Sequence, residues 1–166
     1  MARDEERASA PSNRTSAGIV LWRHREDRLQ VLIGHPGGPY FANKDEDQWT
    51  VLKGEAEPDD SLLEVARREF TEETGHALPD HPLIELGEIR QKGGKKVVAW
   101  GTEGDLDPAA ATSNTFEMEW PPRSGRIREF PEIDRVEWFD LPMARVKLKA
   151  AQVPFLDRLE DALGES

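Results

Sequence analysis

The 166-residue chain contains no cysteine, which excludes disulfides, thiolate metal sites and cysteine nucleophiles. Long apolar runs are missing too: no stretch approaches the roughly 18 residues that a membrane span requires. The opening residues MARDEERASAPS lack the apolar core of a signal peptide, so a cytoplasmic location is the default expectation. Basic residues are outnumbered, with 22 Lys and Arg against 33 Asp and Glu, for a net charge of −11. That balance disfavours nucleic acid as a partner, because phosphate backbones are held by basic surfaces; no membrane partner is expected either. A small phosphate-bearing ligand stays open, since carboxylates bind phosphate through divalent cations that reverse the local field.

The length suits one domain with a real hydrophobic core. Residues 1–15 are mostly charged or small and lack apolar periodicity, so they are expected to form a flexible tail ahead of a single domain at 16–163. Two β-prone runs, GIVLW at 18–22 and LQVLI at 29–33, flank the charged segment RHRED and read as a hairpin. QWTVL at 48–52 is a third strand candidate, followed by an acidic loop from Gly54 to Asp60. Further strands are expected at 83–91, 96–100, 115–120 and 136–139, with helices at 61–74 and 150–163. Residues 104–114 read as a loop and 121–125 as a turn. The order predicts an α+β architecture, a mixed sheet with helices packed on it.

The helix at 61–74 is the clearest element. It opens on a capping-box pattern, Ser61 with Glu64 three residues on, and closes at Gly75. At about 100° per residue, Glu69, Glu72 and Glu73 share an arc of roughly 100°. That arc overlaps the side of Leu62, Val65 and Ala66, while Glu64, Arg67, Thr71 and Thr74 read as solvent-facing. The carboxylates thus continue the apolar stripe, where amphipathicity would place hydrophobes. One reading is a solvated, salt-bridged surface helix, and Arg68, four residues from both Glu64 and Glu72, suits it. The other is a cation site: Glu69 and Glu73 are a like-charge i, i+4 pair, destabilising unless a cation lies between them. Oxygen ligands of this kind suit Mg²⁺ or Mn²⁺.

The segment GEAEPDDSLLEVARREFTEETG resembles the Nudix box: Gly, five residues, Glu, seven residues, Arg-Glu, an apolar residue, any, Glu-Glu, any, Gly, apolar. Gly54, Arg68, Glu69, Phe70, Glu72, Glu73 and Gly75 match at the required spacings. Asp60 replaces the first glutamate, and His76, read as a helix-end cap, replaces the final aliphatic residue. The resemblance covers residues 16–163 and implies a Nudix-like α/β/α sandwich. It also implies Mg²⁺-dependent (or Mn²⁺-dependent) cleavage of a phosphoanhydride in a nucleoside diphosphate-linked compound. Glu69, Glu72 and Glu73 would hold the metal, with a backbone carbonyl near Lys53–Gly54. Arg68, grouped with the catalytic residues, would organise the acid at position 60.

Outside the box, GRIREFPEIDRVEWF at 125–139 resembles the loop before the final strand of relatives that split dinucleoside polyphosphates. There an acid lies a few residues before a tryptophan. Glu132 fits that place as general base, with Glu129 next, and exposed loop acids are the alternative for both. Lys53 stands directly before the box and is a phosphate-contact candidate, while Lys95-Lys96 reads as solvated. Tyr40 and Trp49, with Phe41 and Trp120, are aromatics in or near loops that could stack on a base or simply pack. The runs HPGGPYFANKDEDQWTVLKGE and SNTFEMEWPPRSGR are similar to a bacterial Nudix subgroup allied to dinucleoside polyphosphate hydrolases. A nucleotide-type small molecule is the expected partner of a monomer or homodimer. The competing classes are a non-catalytic, ADP-ribose-sensing Nudix module and an acidic calcium-binding or interaction domain. The intact glutamate trio argues against the first; the Arg-Glu and Gly positions argue against the second.

Overall fold

In a computed structural model, which describes residues 14–164, an antiparallel hairpin of long strands runs through the middle of a mixed sheet. β1 (Thr15–Arg25) and β2 (Arg28–Pro36) are joined by a two-residue turn, Glu26-Asp27, with both residues at positive φ. Such turns match the right-handed twist of the strands, so the charged segment read as a separator is mostly strand. Most of the expected tail, residues 1–13, lies outside the described residues, and β1 itself opens at Thr15.

β3 (Leu52–Glu55) pairs with the first half of β1; β4 (Leu83–Arg90) and β5 (Lys96–Glu103) follow the first helix, and β8 (Ile133–Asp140) ends the main sheet. The order is β4-β5-β1-β2-β8, with β3 beside β1; β1 and β5 are parallel and the other pairs antiparallel. The continuous apolar run at the centre of β1 has a simple cause. Ala17, Ile19 and Leu21 face Val65, Ala66 and Phe70 of α1 (Leu62–Thr74). Val20 and Trp22 face the other way, toward Phe155, Leu156 and Leu159 of α3 (Pro154–Leu163). A strand buried on both sides reads as unbroken hydrophobe, and the result is the expected α/β/α sandwich.

Three expectations change. The third strand begins at Leu52, four residues late, because Trp49 and Val51 are drawn into the α3-side core; Trp49 and Thr50 make only isolated bridges. The stretch before the last strand is no loop: β7 (Ile127–Pro131) pairs with β6 (Thr115–Glu119) in a separate two-stranded sheet. Its sequence, IREFP, lacks the apolar alternation that marks a half-buried strand. The final helix is shorter than expected and has a companion, α2 (Leu141–Lys147), capped by Asp140 accepting from the Met143 N–H. Pro154 at its first turn starts α3 after a 3-10 turn at Ala150–Gln152. Among the described residues no helix is long and apolar enough to cross a membrane.

Candidate active site

The box helix is set by its caps. The Ser61 hydroxyl accepts from the Glu64 N–H, and Gly75 ends the helix at φ +77°, its N–H returned to the Thr71 carbonyl. His76 folds back on the same end, its N–H donated to the Thr74 hydroxyl and its ring against the Thr74 carbonyl. Thr74 is fully buried, against the outward placement read from the wheel; its hydroxyl is satisfied by the Phe70 carbonyl, which lets a polar side chain enter the core.

Two helix carbonyls left open at this terminus are taken up by distant chain. Thr74 accepts from the Thr112 N–H and Glu72 from the Asn114 N–H; Asn114 in turn accepts from Glu132, and Glu132 from Gly37. This run of main-chain hydrogen bonds brings Glu132, sixty residues beyond Glu72 in sequence, to the carboxylate end of α1. Its charge acts on both Glu69 and Glu73. Glu129 goes elsewhere, accepting from the Thr115 hydroxyl on the hairpin.

Glu73 is the most perturbed acid. Only 6% exposed, it has one carboxylate oxygen, Oε1, buried with no hydrogen-bond partner. Burial, then the Glu69 charge, pushes its pKa up to about 8; the Lys53 ammonium and a Lys53 backbone hydrogen bond pull the other way, while Glu132 adds to the rise. Glu69 is raised in the same sense, first by burial and then by Glu72, with Arg68 opposing. Lys53, partly buried on β3, is shifted down by burial and by Lys149, against the attraction of Glu73. Burial leads all three shifts, and at each glutamate a neighbouring carboxylate adds to it.

Arg68 stands at the mouth of this pocket, 3.7 Å from Glu69 and 3.9 Å from Glu72, with half its side chain in solvent. It does not reach Asp60, whose carboxylate accepts from the Glu57 N–H and closes the loop instead. The short arm of aspartate serves the loop that carries it. Among the described residues no three acids or histidines are already gathered in metal-holding geometry; Arg68 lies against two of the three glutamates. The donor set nevertheless fits a hard divalent cation. A buried carboxylate oxygen is left over, its neighbours repel it, and every candidate donor is oxygen.

Gly54 supports the same arrangement. The Glu69 carboxyl rests directly on it, so a Cβ there would lie 2.1 Å from Glu69 Cδ. Gly54→Ala is therefore expected to swing a flexible side-chain end aside and leave the fold intact. A displacement of about 1 Å in a catalytic group costs on the order of 100-fold in rate. Turnover should fall by that order with the melting temperature nearly unchanged; full activity in this variant would mean that Glu69 need not stand where it does.

The aromatic candidates separate. Tyr40 is 57% exposed and meets Trp120 edge-to-face at 5.2 Å. Trp49 is 1% exposed, packed edge-on against His35 and Phe139, with its indole N–H donated to Asp45. Buried on all sides, it cannot meet a substrate, which corrects its assignment to binding. IREFP carries no apolar alternation, so neither β7 nor the main-chain route that brings Glu132 to this helix end is legible in sequence.

A NUDIX domain family model matches residues 12–159. An octanoyltransferase of Myxococcus xanthus is 31% identical over 147 residues; these are 87% of this chain and only 36% of that protein. Among solved structures, a C. elegans Ap4A hydrolase binary complex matches with TM-score 0.59 at 19% identity, covering 91% of this chain and 98% of its own. The NUDIX domain of Shewanella oneidensis NrtR, complexed with ADP ribose, matches with TM-score 0.62 at 16% identity, covering 98% and 99%. The helix that bears the glutamates, the sheet that supports it and the family match agree: this chain belongs to the Nudix family.

Proposed function

We propose that the protein hydrolyses a phosphoanhydride bond in a nucleoside diphosphate-linked compound, a dinucleoside polyphosphate or nucleoside triphosphate, with Mg²⁺ or Mn²⁺ as cofactor. The observation that supports this reading is the buried Glu73 carboxyl, which keeps an unpartnered oxygen on the helix that also carries Glu69 and Glu72. Glu69, Glu72 and Glu73, with the Gly54 carbonyl, would hold the metal. When bound, it supplies charge neutralisation on the diphosphate and Lewis-acid activation. Glu132, exposed and beside the cluster, takes the proton of the water that attacks phosphorus. The anhydride P–O bond breaks, and its oxygen leaves on the second phosphate. Lys53 offers its charge to the phosphates, and Arg68 moves off the glutamates toward them.

The test begins with chelator-treated protein and a panel of nucleoside triphosphates, dinucleoside polyphosphates, ADP-ribose and NADH, with products identified. No cleavage is expected without metal, and cleavage of one class on adding Mg²⁺. Metal-independent turnover would remove the metal assignment. Likeness to a domain complexed with ADP ribose supports one other reading, a module that binds such a compound without cutting it. Binding of ADP-ribose with no cleavage anywhere in the panel would establish that one.

A further inference from the structure

The β6–β7 hairpin stands outside the main sheet, and its two faces differ. Phe116 pairs with Phe130, Met118 with Arg128, and the Trp120 N–H is donated to the Arg126 carbonyl, so these six residues share one face. The other face bears the acids Glu117, Glu119 and Glu129. In a chain of net charge −11, the first face has two arginines and no acid. Arg128 lies over the Phe130 ring at 5.7 Å, and neither arginine has a carboxylate partner among the described residues. Exposed Tyr40 and half-buried Trp120 close the far end as an aromatic pair belonging to neither core cluster.

The near end of this face is the candidate active site, because Pro131, paired with Thr115, is followed directly by Glu132. At about 3.4 Å per residue, the strand from Thr115 to Trp120 runs roughly 17 Å away from that acid. Aromatic rings at the end of an arginine-bearing strip match a planar base joined to a phosphate chain. A ligand whose only base adjoins the cleaved diphosphate ends short of the pair. A second nucleoside, beyond a longer phosphate chain, reaches it.

We propose that this hairpin face binds the distal nucleoside of a dinucleoside polyphosphate, with the base on Tyr40 and Trp120 and the intervening phosphates along Arg126 and Arg128. The inference rests on the hydrolase reading above and narrows its substrate class. Stacking a base on an aromatic side chain is worth about 1–3 kcal/mol, or roughly 5- to 150-fold in affinity. Trp120→Ala and Tyr40→Ala should each raise KM for a dinucleoside tetraphosphate within that range and leave kcat near wild type. KM for a nucleoside triphosphate should not move, and Trp120→Phe should restore most of the affinity. Equal losses on both substrates, or none on the first, would overturn the proposal. If the wild-type protein cleaves neither compound, the hydrolase reading fails by itself. Calorimetric binding of the dinucleoside tetraphosphate then decides the platform: a loss confined to the alanine variants supports it, and equal Kd values reject it.

Discussion

Glu73→Gln should stop hydrolysis and, without metal, make the protein more stable at alkaline pH. The first effect follows from the proposed metal site, which would lose one of its charges. A contribution of about 4 kcal/mol to the transition state corresponds to roughly a thousandfold in turnover. The second follows from the raised pKa of about 8. Between the ordinary carboxylate range and that value, folded Glu73 keeps a proton that the unfolded chain releases. Its destabilising effect is therefore absent in acid, grows as pH rises through this window, and is full above it. Thermal melts with chelator should place the variant above wild type at pH 8–9 and level with it near pH 4. The shift should be about 2–4 °C for each kcal/mol relieved. Adding Mg²⁺ should raise the wild-type melting temperature and leave the variant unmoved. Wild-type turnover, or a variant less stable at pH 9, would show that Glu73 is an ordinary structural acid.

Trp49→Ala should have the largest effect on stability and the least on recognition. The ring is buried between His35 and Phe139, and its N–H satisfies Asp45, which also pairs with Lys147. Removing a buried tryptophan costs about 3–5 kcal/mol, against a total stability of only about 5–15 kcal/mol for a typical domain. A drop in melting temperature on the order of 10 °C is expected, with KM unchanged at temperatures where the variant is folded. Trp49→Phe should recover much of the packing and leave Asp45 without its indole donor. A many-fold rise in KM at constant melting temperature would return Trp49 to the binding site.

These two residues mark where sequence was informative. Helix α1 and its caps at Ser61 and Gly75 are local properties of spacing, and each stands in the structure as expected. The hairpin of β1 and β2 is legible for the same reason, and the sandwich through the resemblance that the box carries. Sequence leaves Trp49 open between stacking and packing, because a tryptophan beside a loop of charged residues looks the same whether it points inward or outward. The deciding contacts, His35 and Phe139, lie 14 and 90 residues away. Thr74 was placed outside because a wheel sees polarity and not the Phe70 carbonyl that satisfies the hydroxyl. Arg68 was given Asp60 as partner, while its own helix supplies Glu69 and Glu72 nearer by. β7 is a strand only in company with β6, so its charged sequence carried no apolar signal.

The bonds that run from Glu72 through Asn114 and Glu132 to Gly37 are all main chain. Such a frame asks nothing of the Thr112 and Asn114 side chains, so those positions can vary while the backbone at Glu132 stays in place. Gly37 is the exception, since a Cβ there would meet the Pro131 carbonyl oxygen at 1.9 Å. Side chains around the candidate site can therefore change on a main-chain frame pinned by one glycine.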